Sequence, residues 1–176
     1  MGAYYVYLIS SLPMLSFVSR MPFTPDEFIA KCEGLIPEQE SGILKGIIQA
    51  GPSSLSAAAK GVLGEWGKFE IILRNELARA RAGRKKSDFS RFVRLPDNFD
   101  ARISHVAMAA YRSASILEGE KILDQARWDF LESLSFGHYF DFDFLIVYAL
   151  KLKILERWSR IQDADKEQLF NRMVVN

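Results

Sequence analysis

Residues 141–161 read DFDFLIVYALKLKILERWSRI, and this stretch decides the fold. From Phe144 to Leu150 every side chain is apolar or aromatic, so a helix here is buried on all sides. Seven such residues fall well short of the about 20 needed to cross a bilayer. Beyond Leu150 the helix becomes one-sided, with Lys153, Glu156, Arg157 and Arg160 on a single face. A segment of this kind is the central post of a helical bundle. Its start calls for a cap, and Asp141 or Asp143 supplies one.

Working outward, Gly137 ends the preceding helix, in which Ile116, Gly119, Leu123, Ala126, Phe130 and Leu134 share a face. Arg102–Arg112 and Ser113–Leu134 both read as helix, as one element or two. After the post, Asp163 or Asp165 is expected to cap a last helix ending at Val174. Toward the N-terminus, Ser53–Gly83 reads as a long helix with the stripe Phe69, Ile72, Leu73, Leu77 and Ala80. Gly61, Gly64 and Gly67 fall on one side of it, which favours either close approach of a neighbour or local flexibility. Thr24-Pro25-Asp26-Glu27 is a strong helix start, followed by Phe28, Ile29, Cys32 and Leu35. Pro37-Glu38-Gln39-Glu40 opens another helix, which Gly51-Pro52 stops. Val6–Leu12 is too short to assign by period. No alternating strand pattern follows it. The expected class is all-α, a bundle of about six to seven helices in one domain or two small subdomains. The expected division is 1–82, a basic linker 83–100 (GRKKSDFSRFVRLPDNFD), and 101–176.

The chain has 176 residues, 49% hydrophobic with 13 Phe, ample for a core of this size. With 23 basic and 22 acidic residues the net charge is +1, so no global field recruits nucleic acid or lipid. A single cysteine, Cys32, precludes an internal disulfide and suits a reducing cytoplasm. The apolar opening lacks a basic start and a small-residue cleavage site, so it is expected to be mature, folded sequence. The start Met1-Gly2 lacks the Ser or Thr that myristoylation expects at position 6.

Phosphate loops, His-Glu-x-x-His, Cys-x-x-Cys and Gly-x-Ser-x-Gly are absent from the sequence. No cofactor and no catalytic residue is therefore expected. His138, Asp141 and Asp143 are the one group with metal-ligand chemistry, and helix capping is the preferred reading of the aspartates. The basic run Arg79, Arg81, Arg84, Lys85, Lys86, Arg91 and Arg94 is the candidate partner-binding surface, suited to an acidic protein. A solvated face at a helix C-terminus is its bland alternative. Direct nucleic-acid binding is not expected, because only Phe89 and Phe92 interleave the run. Two charges sit on apolar stripes, Glu76 beside Phe69, Leu73 and Ala80, and Lys151 among Phe144, Tyr148 and Leu155. A buried charge needs a partner, so Glu76 and Lys151 are a candidate pair. Alternatively, Lys151 buries only its stem and keeps its ammonium in water.

Several segments together resemble a family. YYVYLISSLPML (4–15) is similar to the opening helix of the C-type subunits of bacterial and archaeal V-type ATPases, relatives of the eukaryotic d-type subunits. Glu70, Leu73, Arg74 and Leu77, followed by ARAG (80–83), resemble that family's Glu-x-x-Asn-Leu-Arg helix. Residues 116–161 look like its last domain, with Tyr148 and Glu156 on the long helix. The Ser-Leu-Pro-Met-Leu-Ser start also resembles short uncharacterised bacterial proteins encoded among V-type ATPase genes. This chain lacks the family's Asn in the first of these helices and is about half as long as the family's three-domain members. The resemblance implies a non-catalytic coupling part between rotor axle and membrane ring, whose partners are other subunits of the rotary complex. It would be cytoplasmic and peripheral to the membrane through those partners. A helical adaptor that binds acidic protein or nucleic acid through residues 79–94 is the alternative.

Overall fold

In a computed structural model the described residues are 4–17, 19–50, 60–85, 92–94 and 98–174. They form seven helices and no strand: α1 (Tyr5–Ser11), α2 (Pro25–Cys32), α3 (Glu38–Ala50), α4 (Gly61–Lys85), α5 (Ala101–Arg112), α6 (Ile116–Ser135) and α7 (Phe142–Val174). The all-α expectation holds. The chain divides into two compact units, residues 1–49 with 137–176, and residues 50–136. That division departs from the one expected at the basic linker. Composition marks a polar connection, whereas unit membership is decided by which apolar faces meet, and here the chain's first and last helices share a unit.

In the first unit α7 is the post. Leu145, Ile146, Val147, Tyr148, Ala149, Leu150 and Leu152 are all buried. Burying each such side chain contributes about 1.5–3 kcal/mol, which is why an unbroken apolar run fixes this helix in the interior. Tyr148 ties it to the N-terminal segments. Its ring stacks on Phe28 of α2 at 5.2 Å and on Phe23 at 6.2 Å, and its hydroxyl donates to the Pro13 carbonyl at 2.9 Å. α2 begins with a complete capping box. The Thr24 side chain accepts from the Glu27 amide at 3.2 Å, and Glu27 Oε2 accepts from the Thr24 amide at 2.7 Å. α1 is held by the Tyr4 amide bonding to Leu35 O at 2.8 Å and by the Tyr5 hydroxyl donating to Glu40.

α7 runs on to Val174 as one helix, where a break with a new cap near Asp163 or Asp165 was expected. No Gly or Pro interrupts residues 142–174, and an Asp inside a helix costs too little to stop it. Asp163 faces Ser159 one turn back, with Oδ2 3.5 Å from the Ser159 hydroxyl.

The second unit is α4, α5 and α6. Phe69 of α4 stacks on Phe130 of α6 at 4.2 Å and an interplanar angle of 9°, with Trp66 beside both. Gly61 opens α4 with φ +66°, and Gly64 and Gly67 are buried in its first turns. α5 and α6 are separate helices. Asp100 caps α5 through the amides of Arg102 (2.8 Å) and Ile103 (3.3 Å), and Ser115 caps α6 through Glu118 at 3.1 Å. The turn between them is tight enough that a Cβ on Gly119 would lie 2.7 Å from the Ala110 carbonyl oxygen. Only glycine fits there.

Candidate functional site

The basic run is distributed by the fold. Arg79, on α4, pairs with the buried Glu76 one turn back. Arg81 is exposed, and Arg84 and Lys85 close α4 with side chains outside the described set. Lys86 and Arg91 lie outside the described residues altogether. Arg94 is held by its backbone: its amide donates to Asn75 Oδ1 at 2.9 Å, and its carbonyl accepts from Asn75 Nδ2 at 2.8 Å. Asn75 is fully buried and clamps the segment after α4 against that helix. No periodicity in the sequence points to this clamp.

The carboxylate of Glu76 is thus taken by Arg79 at i+3, a pairing that the spacing alone encodes. Lys151 is buried in α7, in the other unit.

A second buried network was missed at the sequence level. Arg127 of α6 donates from Nε to Glu70 Oε1 and from Nη1 to Asp124 Oδ1, each at 2.7 Å. Glu70 and Asp124 are 3% and 2% exposed, so Arg127 neutralises two carboxylates out of water. Burial opposes the guanidinium charge. Glu70 and then Asp124 more than offset that, and hold Arg127 above its ordinary range. The Asp124–Arg127 i,i+3 spacing was legible, but the link to Glu70 across 57 residues was not.

His138 Nδ1 lies 2.6 Å from Asp141 Oδ2 and 3.8 Å from Asp143 Oδ2. Asp141 Oδ1 accepts the Phe144 amide at 3.0 Å, so Asp141 is the cap of α7 and orients the imidazole with its other oxygen. The hydrogen bond to Asp141 raises the His138 pKa against the opposing effect of burial, and the charges of Asp141 and Asp143 add to the rise. Among the described residues no set of three or more His, Cys, Asp and Glu is arranged to hold a metal. Cys32 is fully buried and its thiol is pushed up to about 12 by desolvation, which suppresses the thiolate that nucleophilic chemistry requires.

An aromatic surface lies on α1. Tyr4, Val6 and Tyr7 are exposed (Tyr7 69%) and, with Phe140, line an open hollow of about 710 Å³. Tyr5 alone of this group turns inward. Its hydroxyl pKa is raised by burial first and then by the Glu40 carboxylate. A helical reading of residues 5–11 would have put Val6 and Tyr7 outside. The sequence was too short there to choose helix over strand.

One family model matches residues 84–176, just over half of the chain. The chain belongs to that family, described as a protein of unknown function (DUF2764). The DUF2764 match takes in α5, α6 and α7, and with them Arg127, Asp124 and the His138–Asp141 cap. The aromatic face of α1 and nearly all of α4 lie before it. Comparison with curated proteins and with solved structures found no match.

Proposed function

We propose that this chain is a non-catalytic accessory or central-stalk subunit of a V-type ATPase-like rotary complex, acting by packing between neighbouring subunits. The observation that carries the reading is the aromatic face of α1. Tyr4, Val6 and Tyr7 belong to the segment YYVYLISSLPML, on which the resemblance to the V-type ATPase family rests, and they are exposed as a group. Aromatic side chains presented this way are anchors for protein contacts, since their burial contributes most per residue at interfaces. Buried networks and an unbroken post supply the stiffness that a coupling part needs. Among the described residues no helix is long and apolar enough to cross a membrane. In the proposed complex, attachment to the membrane ring goes through partner subunits.

The test is purification of the tagged chain from its native cells, followed by mass spectrometry of the proteins that come with it. Rotary ATPase subunits are expected, and Tyr7→Glu is expected to lose them. Recovery of the chain without any of them sinks the assignment. The second reading, a helical adaptor for acidic protein or nucleic acid at residues 79–94, is favoured by the exposure of Arg81.

A further inference from the structure

The second unit carries an open groove of about 480 Å³ between the C-terminal half of α4 and α5. Arg79 and Gly83 contribute from α4, and Met108, Tyr111 and Arg112 from α5. Phe99 forms a wall just before the α5 cap. Among the described residues of the lining the acid is Glu76, which is 3% exposed and already paired with Arg79. Among the described lining residues the exposed charge is that of Arg112, which is positive. A cation at the end of α5 complements the helix dipole and needs no other explanation. Phe99 does need one. It is 71% exposed, and the backbone it stands on is fixed where Asp100 accepts from two amides of α5. A large aromatic exposed to water in the same groove as an arginine is the pattern of a partner anchor. Tyr111 continues the surface, since it also lines an adjoining hollow of about 280 Å³ that includes Arg81.

We infer that this α4–α5 groove docks an acidic peptide segment bearing a large apolar side chain, with Phe99 and Met108 taking the apolar group and Arg112 the carboxylate. Charge complementarity selects the acidic partner, and the apolar walls select a protein over a polyanion that offers charge alone. The inference deepens the reading of the chain as a partner-binding protein and does not depend on the rotary assembly.

The full chain is titrated into a short fluorescein-labelled peptide of Glu, Leu and Phe, and anisotropy is read. A matched peptide with Lys for Glu and a labelled oligo(U) RNA run in parallel. The acidic peptide is expected to bind, more weakly as salt rises. Phe99→Ser and Arg112→Glu should each weaken it at least about tenfold, and Tyr7→Ser should not. Both substituted positions are exposed, and circular dichroism checks that helix content is kept. In the unsubstituted protein, amide shifts on peptide addition should concentrate at residues 79–83 and 108–112. Absence of binding, equal binding of the Lys peptide, tighter binding of RNA, or indifference to both groove substitutions overturns the proposal. If the peptide binds while no rotary ATPase protein co-purifies, the groove stands and the rotary assignment falls; the reverse result removes the groove alone.

Discussion

The two units solve the problem of burial differently. In the first, the interior is the apolar face of α7 with Phe28, Leu44 and Ile47, and its buried polar residues among those described are Ser41 and Lys151. In the second, α4 and α6 bury Glu70, Asn75, Glu76 and Asp124 along with Trp66, Leu73 and Leu131. Apolar burial is strong but non-directional, so it tolerates small shifts of one helix along another. A bidentate arginine is directional, because Nε and Nη1 must each meet a carboxylate oxygen at once. The Glu70–Arg127–Asp124 network therefore sets the register of α6 against α4 in a way that the Phe69–Phe130 stack alone does not.

The sharpest way to break this contrast is Arg127→Met. It removes the guanidinium shared by two buried carboxylates and should destabilise the second unit by about 3–5 kcal/mol, read from the denaturation midpoint. The triple variant Glu70→Leu/Asp124→Leu/Arg127→Met should recover most of that loss, and its amide spectrum should lose dispersion if the network is what holds register. A triple variant as unstable as the single one would show that the network supplies stability itself. In the first unit Leu145→Ala should cost about 2–5 kcal/mol through the cavity it leaves, with hydrogen exchange rising along α7. Next in size, Asn75→Ala should cost about 1 kcal/mol, since water can replace the lost partners of the exposed Arg94; its signature is faster exchange of the Arg94 amide.

The smallest effect is the pH dependence of the first unit. The folded pKa of His138 is raised, so its contribution is complete below the unfolded value of about 6.5 and is lost as pH rises through the folded value. His138→Gln should flatten the part of the stability profile that falls as pH rises above about 6.5. The change should be slight, because the ring is a third exposed and screened by solvent. A profile that keeps its slope in the variant would remove His138 from the account.

The capping residues were legible because caps are local. Thr24 with Glu27, and Asp141 before Phe144, are read from neighbours three residues apart. The extent of α7 was not, because Asp163 has the composition of a cap without the break in the chain that would make it one. The candidate surfaces divide in the same way. The cations at the end of α4 were visible as a run. The exposure of Tyr7 on α1, and of Phe99 over the groove, could not be told from core aromatics without knowing which faces meet.

From the sequence alone came the helical class, the buried post (145–150, with Phe144 half-buried) and most helix starts, since periodicity and caps act within a few residues along one chain. The tertiary structure alone decided that residues 1–49 and 137–176 form one unit, that Arg127 reaches Glu70, and that Asn75 clamps Arg94. Those outcomes depend on which distant faces exclude water together and which donors then meet acceptors, and neither quantity is carried by local spacing.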